Sequence, residues 1–572
     1  MSVGPIDTAA AVLSVVVAGS AAGPIVFGRG ALRRRATYVL AAAAVVAVLS
    51  WFHFGEFQSV FIDSTSDASS PHRPKTERHQ PLHFHEYFHY YLGSKYFKEV
   101  GYLGLYDCTA LGDLEIARED GVAPRVGAYV RDLSDVLTDK PTLEALGHCT
   151  TELRPRFTDA RWASFKHDLR ELRRLVPDDW WIGAVSDAGF NPPPSWVVMS
   201  SAVANVIPIR VGSLATYIIA TSLDVLLLVV SFMALRSSFG LTTALMAALY
   251  FGSSYLSSYS WIGGAFLRFT WLTCVLLSLA AMKKGRWAWA GAFLAGAACD
   301  RLFPAAFAIG AMVPLVYQAV RYGGDRRPIY RFCGGFAGVT VALFLASTAV
   351  FGFSAWQVFF ERIIRHKDVY FVMHVGLKKI ITYRDWVASQ DFHGHDGLAR
   401  FRSWNLRLRA TWASMLPLVV PIQLLAATGA VLGSIRARPY EAAALFGVIV
   451  MFFFNLPANY YYSVLAVVPA LLLRRAATRP KSKRGRDYVA LAAFNVFWVG
   501  TLVVPHLWRD DIVYDYVICV MFAGFLAIWM VAWLEIPGFT SPRSLASRSD
   551  RGPARGAGSP PPAPREQPAG FA

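Results

Sequence analysis

The stretch "GSLATYIIATSLDVLLLVVSFMAL", Gly212 to Leu235, carries a single charged side chain, Asp224, in 24 residues. An α-helix of about 20 apolar residues crosses the hydrocarbon core of a bilayer, so this stretch predicts a membrane-spanning helix. Comparable runs recur at Ala9 to Phe27, Thr37 to Phe54, Thr242 to Tyr259, Phe266 to Met282, Trp287 to Cys299, Phe303 to Val320 and Phe332 to Phe353. They continue at Trp412 to Leu432, Ala442 to Phe454, Tyr460 to Leu473, Val489 to Val504 and Tyr516 to Leu534. The 55% hydrophobic and 14% aromatic content agrees, since both exceed what a soluble chain of this length carries. The expected class is an all-α polytopic membrane protein with about 13 transmembrane helices.

The net charge of +17 is read as a topology signal. With "RGALRRR" (Arg29 to Arg35) inside, alternation puts "KKGR" after Met282, "RYGGDRRPIYR" after Val320 and "RRAATRPKSKRGR" after Leu473 inside as well. All the strongly basic short loops then share one face, as the positive-inside rule asks. The basic residues punctuate apolar helices and form no separate stripe, so no nucleic-acid partner is expected. The lipid bilayer is.

This frame divides the chain into membrane helices over 1–55, an extracytoplasmic loop over 56–196, helices over 197–353, a second extracytoplasmic segment over 354–411, helices over 412–540 and a tail over 541–572. The long loop mixes charged and apolar residues at helical spacing, as in "RWASFKHDLRELRRLV" (Arg161 to Val176). The tail is rich in Pro, Gly, Ser and Arg and reads as a disordered cytoplasmic segment. The first apolar segment ends in arginines and reads as an anchor. Of six cysteines, Cys108 and Cys149 lie in the exported loop. An oxidising compartment lets them pair and close it; two separate buried thiols is the alternative.

Chemistry concentrates in "HFHEYFHYYLGSKYF", His83 to Phe97. His85-Glu86-Tyr87-Phe88-His89 fits H-E-x-x-H, in which a helix presents two zinc ligands and a general base. A membrane zinc metallopeptidase is thus one reading, with His85 and His89 as ligands and a third ligand drawn from His148, His393, His395 or Asp396. Against it, local histidine enrichment makes a chance match common, and "HEYFHYYLGSK" lacks the glycine and further histidine that extend many such motifs. The other reading pairs Glu86 with Tyr90 one turn on, as base and aromatic wall. A transporter or non-catalytic membrane protein is a third reading, but Asp224 is the main charge within the spans, and hydrogen bonding to a neighbouring helix suffices for it.

The run "HEYFHYYLGSKYFKEVGYLGLYDC" resembles the first extracytoplasmic loop of GT-C glycosyltransferases, and is especially similar to that of bacterial α-mannosyltransferases using polyprenyl-phosphate-mannose. Their acidic residue, tyrosine, small residues and terminal Leu-Tyr match Glu86, Tyr90, Gly93-Ser94 and Leu105-Tyr106. "NPPPSW" (Asn191 to Trp196) resembles the Pro-Pro that ends this loop. "AGAFLAGAACDRLFP" (Ala290 to Pro304) resembles a Gly-x4-Gly helix leading to a basic residue and proline, and "NYYYSVLAVVPALLL" (Asn459 to Leu473) resembles a late helix. The chain departs from the pattern in having glutamate for aspartate, Leu302-Phe303 between Arg301 and Pro304, and a longer first loop.

The resemblance implies a GT-C-like hexosyltransferase of the bacterial inner (plasma) membrane with its active site on the extracytoplasmic face. Its substrates are a polyprenyl-phosphate sugar, mannose being the sugar suggested, and an acceptor hydroxyl on a glycan, glycolipid or protein. No cofactor is required, and a divalent metal remains compatible. Sugar transfer needs a base for the acceptor proton and cations for the departing phosphate. Glu86 is the expected base, Tyr90 and Tyr460 contact substrate, and Arg301, Arg268, Arg362 and Arg365 are candidate phosphate ligands. For single arginines at span ends, snorkelling to headgroups is the plainer role. For most of Tyr90, Trp404 and Tyr460 to Tyr462, it is an interfacial aromatic belt. His366, His374, His393 and His395 are expected as solvated surface, and "RFRSWNLRLRA" (Arg400 to Ala410) as an amphipathic helix on anionic headgroups.

Overall fold

The computed structural model describes residues 5–55, 58–63, 75–80, 82–210, 213–254, 265–383, 397–508 and 510–534. The tail over 541–572 and His393, His395 and Asp396 lie outside the described residues. Helix dominates, and the strands described form two antiparallel pairs, 58–63 with 75–80 and 129–131 with 139–141. Seven described helices are long and apolar enough to cross a bilayer: Thr8–Phe27, Ile218–Phe239, Ala305–Tyr322, Arg327–Phe351, Leu416–Ser434, Lys481–Leu507 and Ile512–Trp533. Leu241–Gly252, Thr270–Lys283 and Pro439–Phe454 are shorter apolar helices. The chain is an α-helical membrane protein, the architecture that satisfies every backbone polar group within lipid.

Small residues set how closely these helices pack. Trp287–Asp300 and Arg327–Phe351 meet on Gly291 and Gly335, where an added Cβ would run into the backbone of Phe332 and Ala288 respectively. Five residues along the first of them, Gly296 faces Cys274 of Thr270–Lys283. The Gly-x4-Gly spacing therefore serves two neighbours, as small residues do at helix interfaces in membranes. Glycine also ends helices: Gly323, with φ +64°, closes Ala305–Tyr322 in the left-handed conformation that other residues resist.

Besides the two strand pairs, the described part of the long first loop is mainly helical, with Leu105–Asp120 and Asp159–Arg173 as its largest pieces. A disulfide joins Cys108 to Cys149. Buried charges are matched: Lys95 Nζ lies 2.6 Å from Asp168, and Asp113 accepts the backbone N–H groups of Arg125 and Val126 while pairing with Arg173 at 2.9 Å. The apolar core of the loop is not closed on itself. Phe84, Tyr87, Phe88 and Tyr91 pack in one cluster with Phe266, Leu267, Trp356 and Phe359 from outside it. That shared core seats the loop on the ends of the helices and fixes where its motif points.

The motif stretch departs from a plain α-helix. Phe84–Glu86 is α-helical, Tyr87–Leu92 forms a π turn, and Gly93–Lys95 is α-helical again. Such one-turn π segments recur at functional sites. Gly93 lies against the Phe190 ring, where a Cβ would approach to 2.6 Å, and Ser94 Oγ is 2.8 Å from Ser200 Oγ of the helix Pro194–Val206. The small Gly-Ser pair thus lets the motif dock on that helix. Asn459–Val467, expected at the start of a span, is a 3-10 helix leading into Val468–Thr478.

Candidate active site

Glu86 is buried and forms an ion pair with Arg268, whose Nε also donates to the carboxylate at 3.2 Å. Arg268 sits in the turn before Thr270–Lys283. Asp224 holds that turn by accepting the N–H of Arg268 at 3.2 Å and of Phe269 at 3.0 Å. The guanidinium carbon lies 4.0 Å from the centre of the Tyr460 ring, a distance at which cation and ring attract. Asp224 therefore does hydrogen-bond to a neighbouring segment, and that segment carries an arginine of the site.

Arg301 follows the helix Trp287–Asp300 and reaches the same aromatic group. Its Nε donates to Tyr461 Oη at 2.9 Å, and its Nη1 donates to Asp300 Oδ1 at 2.8 Å. The rings of Tyr90 and Trp196 lie 5.9 and 5.6 Å from the guanidinium. Tyr90 in turn donates to Asn191 Oδ1 at 3.2 Å. Asp300 also takes the hydroxyl of Thr270, two residues beyond Arg268. One network of side chains therefore connects both arginines and both ends of the quoted motifs.

A cavity of about 440 Å³ opens beside this network. Tyr90, Asn191, Arg301, Tyr460 and Tyr461 line one part of it, and His366, Lys367, His374 and Lys378 from the segment over 354–411 line another. Leu302, Phe303, Phe359, Phe454 and Leu456 give it apolar wall. Glu86 and Arg268 are set back from its surface, with Tyr460 both lining the cavity and stacking on Arg268. Burial first, and the Arg362 charge second, hold the His366 imidazole down at about 4, so it is neutral at ordinary pH. His366 and His374 are thus half-buried cavity residues instead of the solvated surface expected.

A second cavity of about 490 Å³ shares Asn191, Phe359, Ile363, Ile364 and His366 with the first. Its walls hold Ser134, Asp135, Arg362, Arg365 and Asp368. Arg362 has its guanidinium turned onto backbone, with Nη1 donating to the carbonyls of Tyr102 and Phe190 and Nη2 to that of Ala188. Arg365 is exposed and donates to the Ser134 carbonyl at 3.0 Å. Of the four arginines singled out by sequence, Arg268 and Arg301 come together and Arg362 and Arg365 stand in the adjoining space.

The histidines of H-E-x-x-H face away from the Glu86 pairing. His85 and His89 stack at 6.0 Å between ring centres and turn to Asp187, while Glu86 turns to Arg268. A metallopeptidase needs the carboxylate beside the metal-bound water, and that arrangement is not formed here. His148 lies elsewhere, 2.5 Å from Asp107.

Other expectations sort by burial. Tyr462 is buried and donates to the Val375 carbonyl, so of the tyrosine triplet only Tyr460 and Tyr461 meet the cavity. The helix Gly397–Ser414 is no simple surface helix: Trp404 and Leu408 are buried, and Asn405 brackets Tyr370 by accepting its N–H and donating to its carbonyl. Sequence reasoning assigned no role to Asn191, Trp196, Lys367 or Lys378, and gave Tyr461 only a general one as a sugar-stacking or belt aromatic. The first two lie inside the quoted "NPPPSW" and Tyr461 inside "NYYY", which were the available signals.

Comparison with protein families, with curated proteins and with solved structures finds no match.

Proposed function

We propose that the chain is a GT-C-type glycosyltransferase with about 13 membrane crossings, acting at the extracytoplasmic face of a bacterial plasma membrane. It moves a hexose, mannose by resemblance, from a polyprenyl phosphate to an acceptor hydroxyl. The observation that carries the reading is the convergence of Glu86, Arg268, Arg301 and the Tyr90, Tyr460 and Tyr461 rings beside one cavity with both cationic and apolar walls.

Arg301, with Lys367 and Lys378 across the cavity, supplies positive charge where a lipid phosphate departs, and guanidinium forks suit phosphate oxygens. The apolar wall suits the first isoprene units. The aromatic rings give flat faces for a sugar. Glu86 takes the acceptor proton, which requires its carboxylate to be ionised, and the Arg268 ion pair favours that form. Exchange of Arg268 from the carboxylate to the incoming phosphate would release Glu86 for this work. The adjoining cavity, with Ser134, Asp135 and Arg365 on its walls, supplies hydrogen-bonding groups for the acceptor. No step requires a cofactor.

The test is transfer of radiolabelled sugar from polyprenyl-phosphate-mannose, and from polyprenyl phosphates carrying other hexoses, by membranes containing the full chain. Glu86→Gln is expected to abolish transfer while retaining donor binding, because an amide cannot take the proton. No transfer with any polyprenyl-phosphate sugar, or undiminished transfer in Glu86→Gln, would refute the reading.

A further inference from the structure

We propose that His85, His89 and Asp187 form a binding site for a divalent transition-metal ion, Zn²⁺ by its donor set, which clips the motif helix to the segment ahead of Asn191. The candidate ligand atoms of the three residues all lie within 4.8 Å of one another. Two come from adjacent turns at the start of the loop and the third from near its end, so a shared ion ties together positions about a hundred residues apart.

The hydrogen bonds around His89 assign its lone pair. Its Nε2 lies 3.0 Å from the Ala184 carbonyl oxygen, which can only accept, so Nε2 carries the proton. In the neutral ring Nδ1 then presents a lone pair, and it points to Asp187 Oδ2 at 3.8 Å. That separation is too long for a hydrogen bond. It lies close to the roughly 3.4 Å between two ligands of a tetrahedral zinc with bonds near 2 Å. A metal-bound histidine ordinarily gives its other N–H to a carbonyl in this way.

Asp187 is prepared similarly. Its backbone carbonyl accepts from Tyr106 Oη, which also contacts His89 Nε2 at 2.8 Å, and its Oδ1 accepts the N–H of Ala188. Oδ2 is left toward the histidines. The Asp187 side chain is 48% exposed, which gives an ion access and leaves room for water as a further ligand. His85 is packed against Trp180 at 5.7 Å, and its ring stacks on that of His89.

Two imidazoles and one carboxylate favour zinc and its neighbours over calcium or magnesium, which take oxygen ligands. Glu86 is held by Arg268, so the metal-bound water has no general base at the H-E-x-x-H position. The ion is structural: four residues after Asp187, Asn191 receives the Tyr90 hydroxyl at the cavity wall. This inference stands independently of the transferase reading.

The test uses the purified full chain in detergent, stripped with EDTA and titrated with Zn²⁺ against a fluorescent chelator. One tight equivalent per chain is expected, with a rise in thermal stability on binding. Asp187→Asn and His85→Gln should each weaken binding by about tenfold or more. Cobalt substitution should give the visible bands of a low-coordinate site, lost in Asp187→Asn. That variant keeps the acceptor for Ala188 N–H on a half-exposed side chain, so its folding is spared. No metal above the buffer blank, or stoichiometric metal retained by both variants, would overturn the proposal.

Discussion

Replacing Arg268 by methionine isolates the energetics of the Glu86 ion pair. The two side chains are 4% and 8% exposed, so the change leaves a buried carboxylate without its cation. Breaking a buried pair from one side costs about 3 to 5 kcal/mol, and the lost stacking on Tyr460 is part of that sum. Glu86→Gln should cost less, about 1 to 3 kcal/mol, because the amide oxygen still accepts from Arg268. The double variant removes both charges and should be more stable than Arg268→Met alone. Unfolding in mixed micelles, followed by tryptophan fluorescence, reads all four forms of the cycle. The backbone turn is held by Asp224 whichever side chain stands at 268, so loss of the pair is the dominant change. An Arg268→Met protein within about 0.5 kcal/mol of wild type, the limit of an uncoupled surface change, would refute the reasoning. So would a double variant whose loss equals the sum of the two single losses.

Opening the Cys108–Cys149 bridge frees a sequence separation of 41 residues, and the paired serine variant should lose about 4 kcal/mol in the chain-entropy treatment; equal denaturation midpoints with and without reductant would argue against this. Arg301→Ala should lower sugar transfer on the order of 100-fold, and Arg301→Lys should recover part of it, because lysine keeps the charge and loses the fork. A reporter fused after Asp120 should read as extracytoplasmic and one after Arg484 as cytoplasmic; the reversed pair of signals would invert the assigned faces.

Seven of the expected membrane helices were legible because the signal for them is local. A run such as Ile218–Phe239 needs only length and the near absence of charge, and no tertiary information alters that. The motif residues were legible as types. Glu86, Arg268, Arg301, Tyr90 and Tyr460 are the polar and aromatic groups that a run of apolar helices leaves conspicuous. Their partners were not legible. Arg362 looks like Arg301 in sequence, yet its guanidinium is turned onto three carbonyls because the chain at 102 and at 188–190 passes beside it. Asp187 escaped notice as a companion of His85 and His89 because about a hundred residues of chain intervene. The π turn at Tyr87–Leu92 and the 3-10 helix at Asn459–Val467 lie in sequences whose local pattern is ordinary helix; packing against neighbouring segments selects the variant geometry.

Backbone strain falls at the same place as the buried charge. Leu267 is the one described non-glycine residue with positive φ, at 54°, a conformation that costs a side-chain-bearing residue about 1 to 3 kcal/mol. It immediately precedes Arg268. The cost is offset by Asp224, whose carboxylate takes the two N–H groups that follow, and by the Leu267 carbonyl, which accepts the Thr270 hydroxyl at 3.1 Å. Thr270 is shared with Asp300, and Asp300 holds Arg301. Asp224 therefore fixes the backbone at Arg268 and Asp300 the guanidinium of Arg301, and each arginine is flanked by aromatic rings: Tyr460 for Arg268, and Tyr90 with Trp196 for Arg301. Donors held this way need little reorganisation when charge develops before them, and preorganisation of that kind accounts for much of the rate that positioned cations provide. On the proposed transferase reading, a phosphate leaving beside the Tyr460–Tyr461 pair would meet arginines that the strained turn and the two buried aspartates set in advance.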